Sequence, residues 1–233
     1  MSTLPRMIFD QYDRVRIINL PFRVDRRREM DRELAKVGLL DSSKVAYFKA
    51  LQFSDAGVFH CIGANGAFHS HLEVLQEALA VGESVIVLED DCRFLDGIRY
   101  AWCDPDTDVL YGGYARAAGA AELHDADIEG SHFMAFSVRA LKQLVPFLQS
   151  LLDLRTPIDP KTVRSNYNPS IRPPIDGAYV WFRRCYPEYK TQFLHLADYR
   201  ISATNIGEQR WFDQLPILRG MANRARRLKE RIS

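Results

Sequence analysis

The most constraining stretch is Ser84-Val85-Ile86-Val87-Leu88-Glu89-Asp90-Asp91, where an apolar run ends abruptly in three acidic residues. Such a run reads as a short strand buried on both faces, as in a parallel sheet. In open α/β sheets the ligand crevice lies at the carboxyl edge of the strands, which is where these acids fall. Adjacent carboxylates repel one another and stay ionised most easily with water or a hard cation among them. Oxygen ligands of this kind suit Mg²⁺ or Mn²⁺ carried by a phosphate. Asp91, with Glu89, is therefore a candidate ligand pair for a divalent cation bridging to a diphosphate. The competing reading is an acidic turn after a strand.

The flanking sequence alternates strand and helix. Arg14–Leu20 reads as a first strand closed by Pro21, and Asp25 reads as the N-cap of a helix carrying Met30, Leu34 and Val37, with Gly38 at its end. Val45–Ala50 reads as a second strand. Gly63 and Gly66 then loosen the backbone ahead of a helix with the stripe Phe68, Leu72, Leu75 and Leu79. This is no phosphate-loop motif, because the Lys-Ser/Thr ending is missing. Ser70 and His71, at the start of that helix, read either as site residues or as groups that cap and pack the first turns. Strand-helix-strand-helix-strand predicts a parallel sheet flanked by helices. Further strands are expected at Asp108–Gly113, ending in a flexible turn, at Ser131–Val138, and at Phe193–Ala197. A helix is expected over Arg139–Leu152, and a surface loop over Tyr114–Asp127.

The turn after the first strand gathers Arg23, Arg26, Arg27 and Arg28. Arg23, inside the turn, is the one best placed to face a ligand; the others read as a solvated helix face. The segment 153–175 holds five prolines and reads as a long irregular loop of the functional or disordered kind. Asp176 follows it and precedes the aromatic run Tyr179-Val180-Trp181-Phe182, which makes it the first candidate for a general base, with helix capping above Gly177 as the alternative. Tyr179 and Trp181 read as core first and as sugar-stacking rings second. His195 is a candidate metal ligand through neutral imidazole.

Thirty-one basic and 30 acidic residues nearly cancel, so there is no basic excess of the kind a nucleic-acid partner needs. Four cysteines match no zinc spacing and suggest a reducing compartment. With no signal-peptide pattern and no apolar run long enough to span a bilayer, a cytoplasmic protein is expected. The chain divides into a domain over 1–217 and a basic amphipathic tail over 218–233. That tail reads as a membrane-surface helix, as a helix docked on its own domain, or as a solvated terminus.

Several of these pieces, taken in order, resemble glycosyltransferase family 25, the lipopolysaccharide- and collagen-type galactosyl- and glucosyltransferases. The turn Asn19-Leu20-Pro21-Phe22-Arg23-Val24-Asp25-Arg26-Arg27 is similar to the family's opening signature. Gly66-Ala67-Phe68-His69-Ser70-His71 resembles its Gly…Ser-His helix start, and Val87-Leu88-Glu89-Asp90-Asp91 its Leu-Glu-Asp-Asp metal motif. Gly130–Ala140 and Pro174-Ile175-Asp176 resemble later segments, so the likeness runs over about 14–206. Where the family often ends Ser-x-Ser-Asp-Ile, this chain has Ser202-Ala203-Thr204-Asn205-Ile206, with asparagine in place of the acid.

The resemblance implies a single-domain, GT-A-like α/β nucleotide-binding fold. It implies inverting transfer of galactose or glucose from a UDP-sugar to a hydroxyl of a saccharide or glycoconjugate acceptor, with Mn²⁺ or Mg²⁺. The donor would be held by Asn19, Leu20, Arg23, Arg26, Ser70, His71, Glu89 and Asp90, the metal by Asp91 and Glu89, and Asp176 would be the catalytic base. The same carboxylates leave two other classes open: a nucleotidyltransferase or metal-dependent phosphohydrolase, and an inactive nucleotide-sugar-binding protein of this fold.

Overall fold

The computed structural model describes residues 7–116, 123, 126–157 and 171–200. In chain order they form β1 (Arg14–Asn19), α1 (Val24–Lys36), β2 (Val45–Lys49), α2 (Ile62–Val81), β3 (Val85–Glu89) and β4 (Cys92–Phe94). These are followed by β5 (Val109–Arg116), β6 (Ile128–Phe136), α3 (Val138–Leu151), α4 (Ile175–Cys185), β7 (Thr191–Phe193) and β8 (Ala197–Tyr199). The protein is mixed α/β, with a central sheet of order β2-β1-β3-β6-β5-β7 and a small β4-β8 ribbon.

β1 pairs parallel with both β2 and β3, as the alternation predicts. The sheet is nevertheless mixed: β6 runs antiparallel to β3 and to β5, and β7 is parallel to β5. Only residues 117–127 separate β5 from β6, too short a connection for a helical crossover, so the two strands meet antiparallel.

The apolar run of β3 is continuous because both faces of the sheet are covered. Val85 and Val87 pack with Phe68, Leu72 and Leu75 of α2, Leu141 and Leu144 of α3 and Tyr179 of α4. Ile86 and Leu88 point the other way, to Met30 and Leu34 of α1. At about 25 cal/mol per Å² of apolar surface, full burial of each such side chain stabilises by roughly 1.5–3 kcal/mol.

Four expectations are corrected. Asp25 is not the cap of α1; Arg23 holds that position, without a side-chain cap, and Asp25 lies two residues on, within the first turn, accepting from Arg23. Gly63 and Gly66 lie within α2, which starts earlier because the Cys61 thiol accepts from the Ala64 amide. β5 continues through Gly112 and Gly113 instead of turning there, with register irregularities at both sides of Gly113. A Cβ on Gly112 would lie 2.6 Å from the Phe133 ring, and one on Gly113 would strike His132, so close packing asks for these glycines. Finally, Phe193–Ala197 is not one strand but the junction between β7 and β8.

The amphipathic tail and Ser202–Ile206 lie outside the described residues, as does much of the proline-rich loop. Among the described residues no helix is long and apolar enough to cross a membrane.

Candidate active site

The site is built where β1 and β3 end side by side. Ile18 is in register with Glu89, and the Asp90 amide donates to the Ile18 carbonyl at 3.2 Å. The next residues, Asn19 and Asp90, meet through their side chains: Asn19 Nδ2 donates to Asp90 Oδ2 at 2.8 Å. Arg26, from α1, donates to Asp90 Oδ1 at 2.8 Å. Asp90 is thus buried with both oxygens engaged inward, and it fastens the two strand ends to α1.

Asp91 is different. Its Oδ2 lies 3.5 Å from Arg26 Nη1, while its buried Oδ1 has no hydrogen-bond partner among the described residues. Burial, then the Glu89 charge, pushes this carboxyl up to about 7; Arg26 opposes the shift and Asp90 adds to it. Glu89 goes the other way. Burial raises it, but the His71 ring beside it and the Ser131 hydroxyl outweigh burial and hold it well below the usual carboxylate range. Ser131 Oγ donates to Glu89 Oε1 at 2.6 Å, and His71 Nε2 faces the same oxygen at 3.4 Å. The Glu89 side chain keeps 31% of its surface open, so the carboxylate is still reachable from solvent. Two neighbouring acids driven apart in this way are the usual sign of a site that handles charge.

Asp176 stands in the first turn of α4. Its Oδ1 accepts from the Gly177 amide at 2.8 Å and its Oδ2 from the Gly130 amide at 3.0 Å. Burial raises this carboxyl against those two bonds, and the nearby Glu89 charge raises it further. Gly130 has φ +93°, a left-handed conformation that favours glycine, at the very peptide Asp176 holds. Asp176 is not the cap of α4, a position Pro174 holds without a side-chain cap; it is a first-turn residue that ties the Gly177 and Gly130 amides together near Glu89.

The remaining predicted residues divide clearly. His71 is fully buried behind Glu89, its Nδ1 3.0 Å from the Tyr179 hydroxyl. Ser70, also fully buried, accepts from the Leu51 amide at 2.8 Å and donates to the Gly66 carbonyl at 2.7 Å. It clamps the chain after β2 against α2, and a Cβ on Gly66 would lie 2.8 Å from the Leu51 carbonyl oxygen in the same contact. Arg23 grips Asp25 at 2.9 and 2.8 Å in the turn, and the Leu20 carbonyl closes that turn by accepting from the Arg23 amide at 2.8 Å. Arg26 is not on a solvated face but against the acids. His195 faces Asp198 at 3.2 Å instead of the carboxylates of the acidic run. Tyr179 and Trp181 are buried core residues.

Sequence reasoning had no role for Ser131 or for Tyr179 in supporting Glu89. Nor did it reveal the fastening from behind: the Arg200 amide donates to the Asp91 carbonyl at 2.7 Å, and its guanidinium meets Glu33 at 2.6 Å and Glu29 at 3.0 Å. These pairings span long stretches of chain and leave no local pattern.

Among the described residues no group of three or more His, Cys, Asp or Glu side chains is arranged to hold a metal ion by itself. Asp91 and Glu89 supply two carboxylates, one with an unpartnered buried oxygen. That donor set fits Mg²⁺ or Mn²⁺, which take one or two carboxylates and complete their shell with waters and substrate phosphates.

No family model and no curated protein matches the chain. Solved structures similar to it include two glycosyltransferases. One is a glycosyltransferase involved in glycosylation of the major capsid of PBCV-1, at 10% identity and TM-score 0.47, over 82% of this chain and 95% of that one. The other is the apo form of the glycosyltransferase GlyE of Streptococcus pneumoniae TIGR4, at 10% identity and TM-score 0.43, over 85% of this chain and 56% of that one.

Proposed function

We propose that this protein is an inverting glycosyltransferase that moves a hexose, galactose or glucose, from a UDP-sugar to a hydroxyl of a saccharide or glycoconjugate. The observation that carries the reading is the unpartnered, buried Oδ1 of Asp91 at the carboxyl edge of β3, with Glu89 beside it. A carboxylate left this way costs stability unless a cation joins it. The sequence resemblance to glycosyltransferase family 25 supplies the donor class.

A divalent cation held by Asp91 and Glu89 would offset the negative charge that develops on the departing diphosphate. The chain's own residues do the rest. Arg26 keeps Asp90 and Asp91 in place from α1, and Asn19 holds Asp90 across the strand ends. Asp176, raised by burial and held by two amides, is the candidate to accept the proton of the attacking hydroxyl, a contribution of about 10²–10⁴-fold. Inversion follows if that hydroxyl approaches from the face opposite the diphosphate.

The test is UDP release from UDP-galactose and UDP-glucose across acceptor sugars, with Mn²⁺ or with EDTA. Activity that needs Mn²⁺ and disappears in a folded Asp91→Ala variant is expected. Full turnover in EDTA, or in that variant, would overturn the metal assignment. Phosphate release without sugar transfer would move the protein to the phosphohydrolases.

A further inference from the structure

We infer that Tyr179 is a positioning residue that acts through His71 to turn one particular oxygen of Glu89 toward the ligand. This rests on the proposed cation and donor site. Glu89 Oε1 accepts from Ser131 Oγ at 2.6 Å, and the buried His71 Nε2, which makes no hydrogen bond among the described residues, lies 3.4 Å from the same oxygen. No bond to Oε2 occurs among the described residues, so Oε2 is the oxygen presented on the open side of the carboxylate.

The proton arrangement follows from burial. Tyr179 is 1% exposed and His71 is fully buried, so neither can borrow water freely. Among the described residues the Tyr179 hydroxyl has one hydrogen-bond neighbour, His71 Nδ1 at 3.0 Å. A buried hydroxyl donates where an acceptor exists, because an unmade bond there is costly. With Nδ1 accepting, the ring proton of His71 sits on Nε2, the nitrogen 3.4 Å from Glu89 Oε1. The reverse arrangement would set the Nε2 lone pair against a carboxylate and leave the phenol proton without a partner. The ring of Tyr179 lies edge-on to His71 at 5.9 Å and packs on Phe136 at 5.1 Å, so the hydroxyl is delivered by a fixed side chain. The order Tyr179 to His71 to Glu89 is that of an outer support acting on a ligating carboxylate, and losing such support typically costs about 10–100-fold in metal affinity or activity.

The experiment uses the full chain, wild type and Tyr179→Phe, which keeps the ring and removes the donor. ¹⁵N NMR of the histidine side chains reads the His71 tautomer, and Mn²⁺ relaxation titration reads the cation. The expected result is an Nε2–H imidazole in the wild type that is lost or mixed in Tyr179→Phe, with Mn²⁺ affinity falling about tenfold. An Nδ1–H imidazole in the wild type overturns the inference. So does an unchanged Mn²⁺ affinity in Tyr179→Phe when Asp91→Ala abolishes binding; in that case the cation site itself stands. An Nε2–H tautomer that responds to Tyr179→Phe, with no Mn²⁺ bound by any of the proteins, would uphold the proton arrangement and overturn the cation reading instead.

Discussion

Asp91→Asn should make the protein more stable while it disables the cation site. Asp91 is pushed from an ordinary 3.8 to about 7, chiefly by burial and by Glu89. A native-state value above the unfolded one means the folded protein holds its proton more tightly. Below about pH 4 both states are protonated and the side chain costs nothing. As pH rises from there toward 7 the unfolded chain releases the proton first, and the native state is progressively penalised. Above about pH 7 the penalty is complete. About three pH units at 1.36 kcal/mol each gives roughly 4 kcal/mol. Arg26 loses a contact in the variant, so about 2–4 kcal/mol should be gained, which is several degrees in Tm for a chain of this length. The assay is urea unfolding of wild type and Asp91→Asn in EDTA, at about pH 4 and about pH 8. The variant should match the wild type at the lower pH and exceed it at the higher. A variant less stable at the higher pH, or a difference that does not grow with pH, would refute the account of Asp91 as an acid whose burial outweighs its contact with Arg26. Saturating Mn²⁺ should close the gap by stabilising the wild type alone.

Three further outcomes are expected. Asn19→Ala leaves one oxygen of buried Asp90 without its donor and should cost about 1–3 kcal/mol in chemical denaturation, with Asn19→Asp worse because it sets two acids together. Gly113→Ala drives a methyl into His132 and toward the Ala197 carbonyl at 2.9 Å, so a loss of about 1–3 kcal/mol, or insoluble protein, should appear in thermal melts. Ser131→Ala removes the short bond to Glu89 and should weaken Mn²⁺ binding in the relaxation titration, with only a small change in Tm.

The parts of the fold that were readable in the sequence are those written in local periodicity. The β3 run and the stripe Phe68, Leu72, Leu75 carry their own signal because each is a continuous buried surface. Gly112 and Gly113 misled because glycine marks both a turn and a strand packed too closely for a side chain, and only the facing Phe133 and His132 decide between them. Asp25 misled for a related reason: an acid two positions past the cap looks like a capping residue until Arg23 claims its carboxylate. At the site, the acids themselves were visible as a cluster. Their division of labour was not, since it depends on Arg26 and Asn19 taking Asp90, and on Ser131 and His71 taking Glu89. Those choices are made in space, between elements that sequence reading treats separately.

The ribbon of β4 and β8 has a consequence for synthesis on the ribosome. Arg200 reaches back 167 residues to Glu33 and secures the Asp91 carbonyl, so the acidic turn is fastened by a residue that emerges after every strand of the central sheet. Nascent chains that stop short of that piece would carry β1 and β3 without the clasp behind their acids. Competence should therefore arrive late and abruptly during translation, because a contact this distant along the chain cannot form before its second half exists.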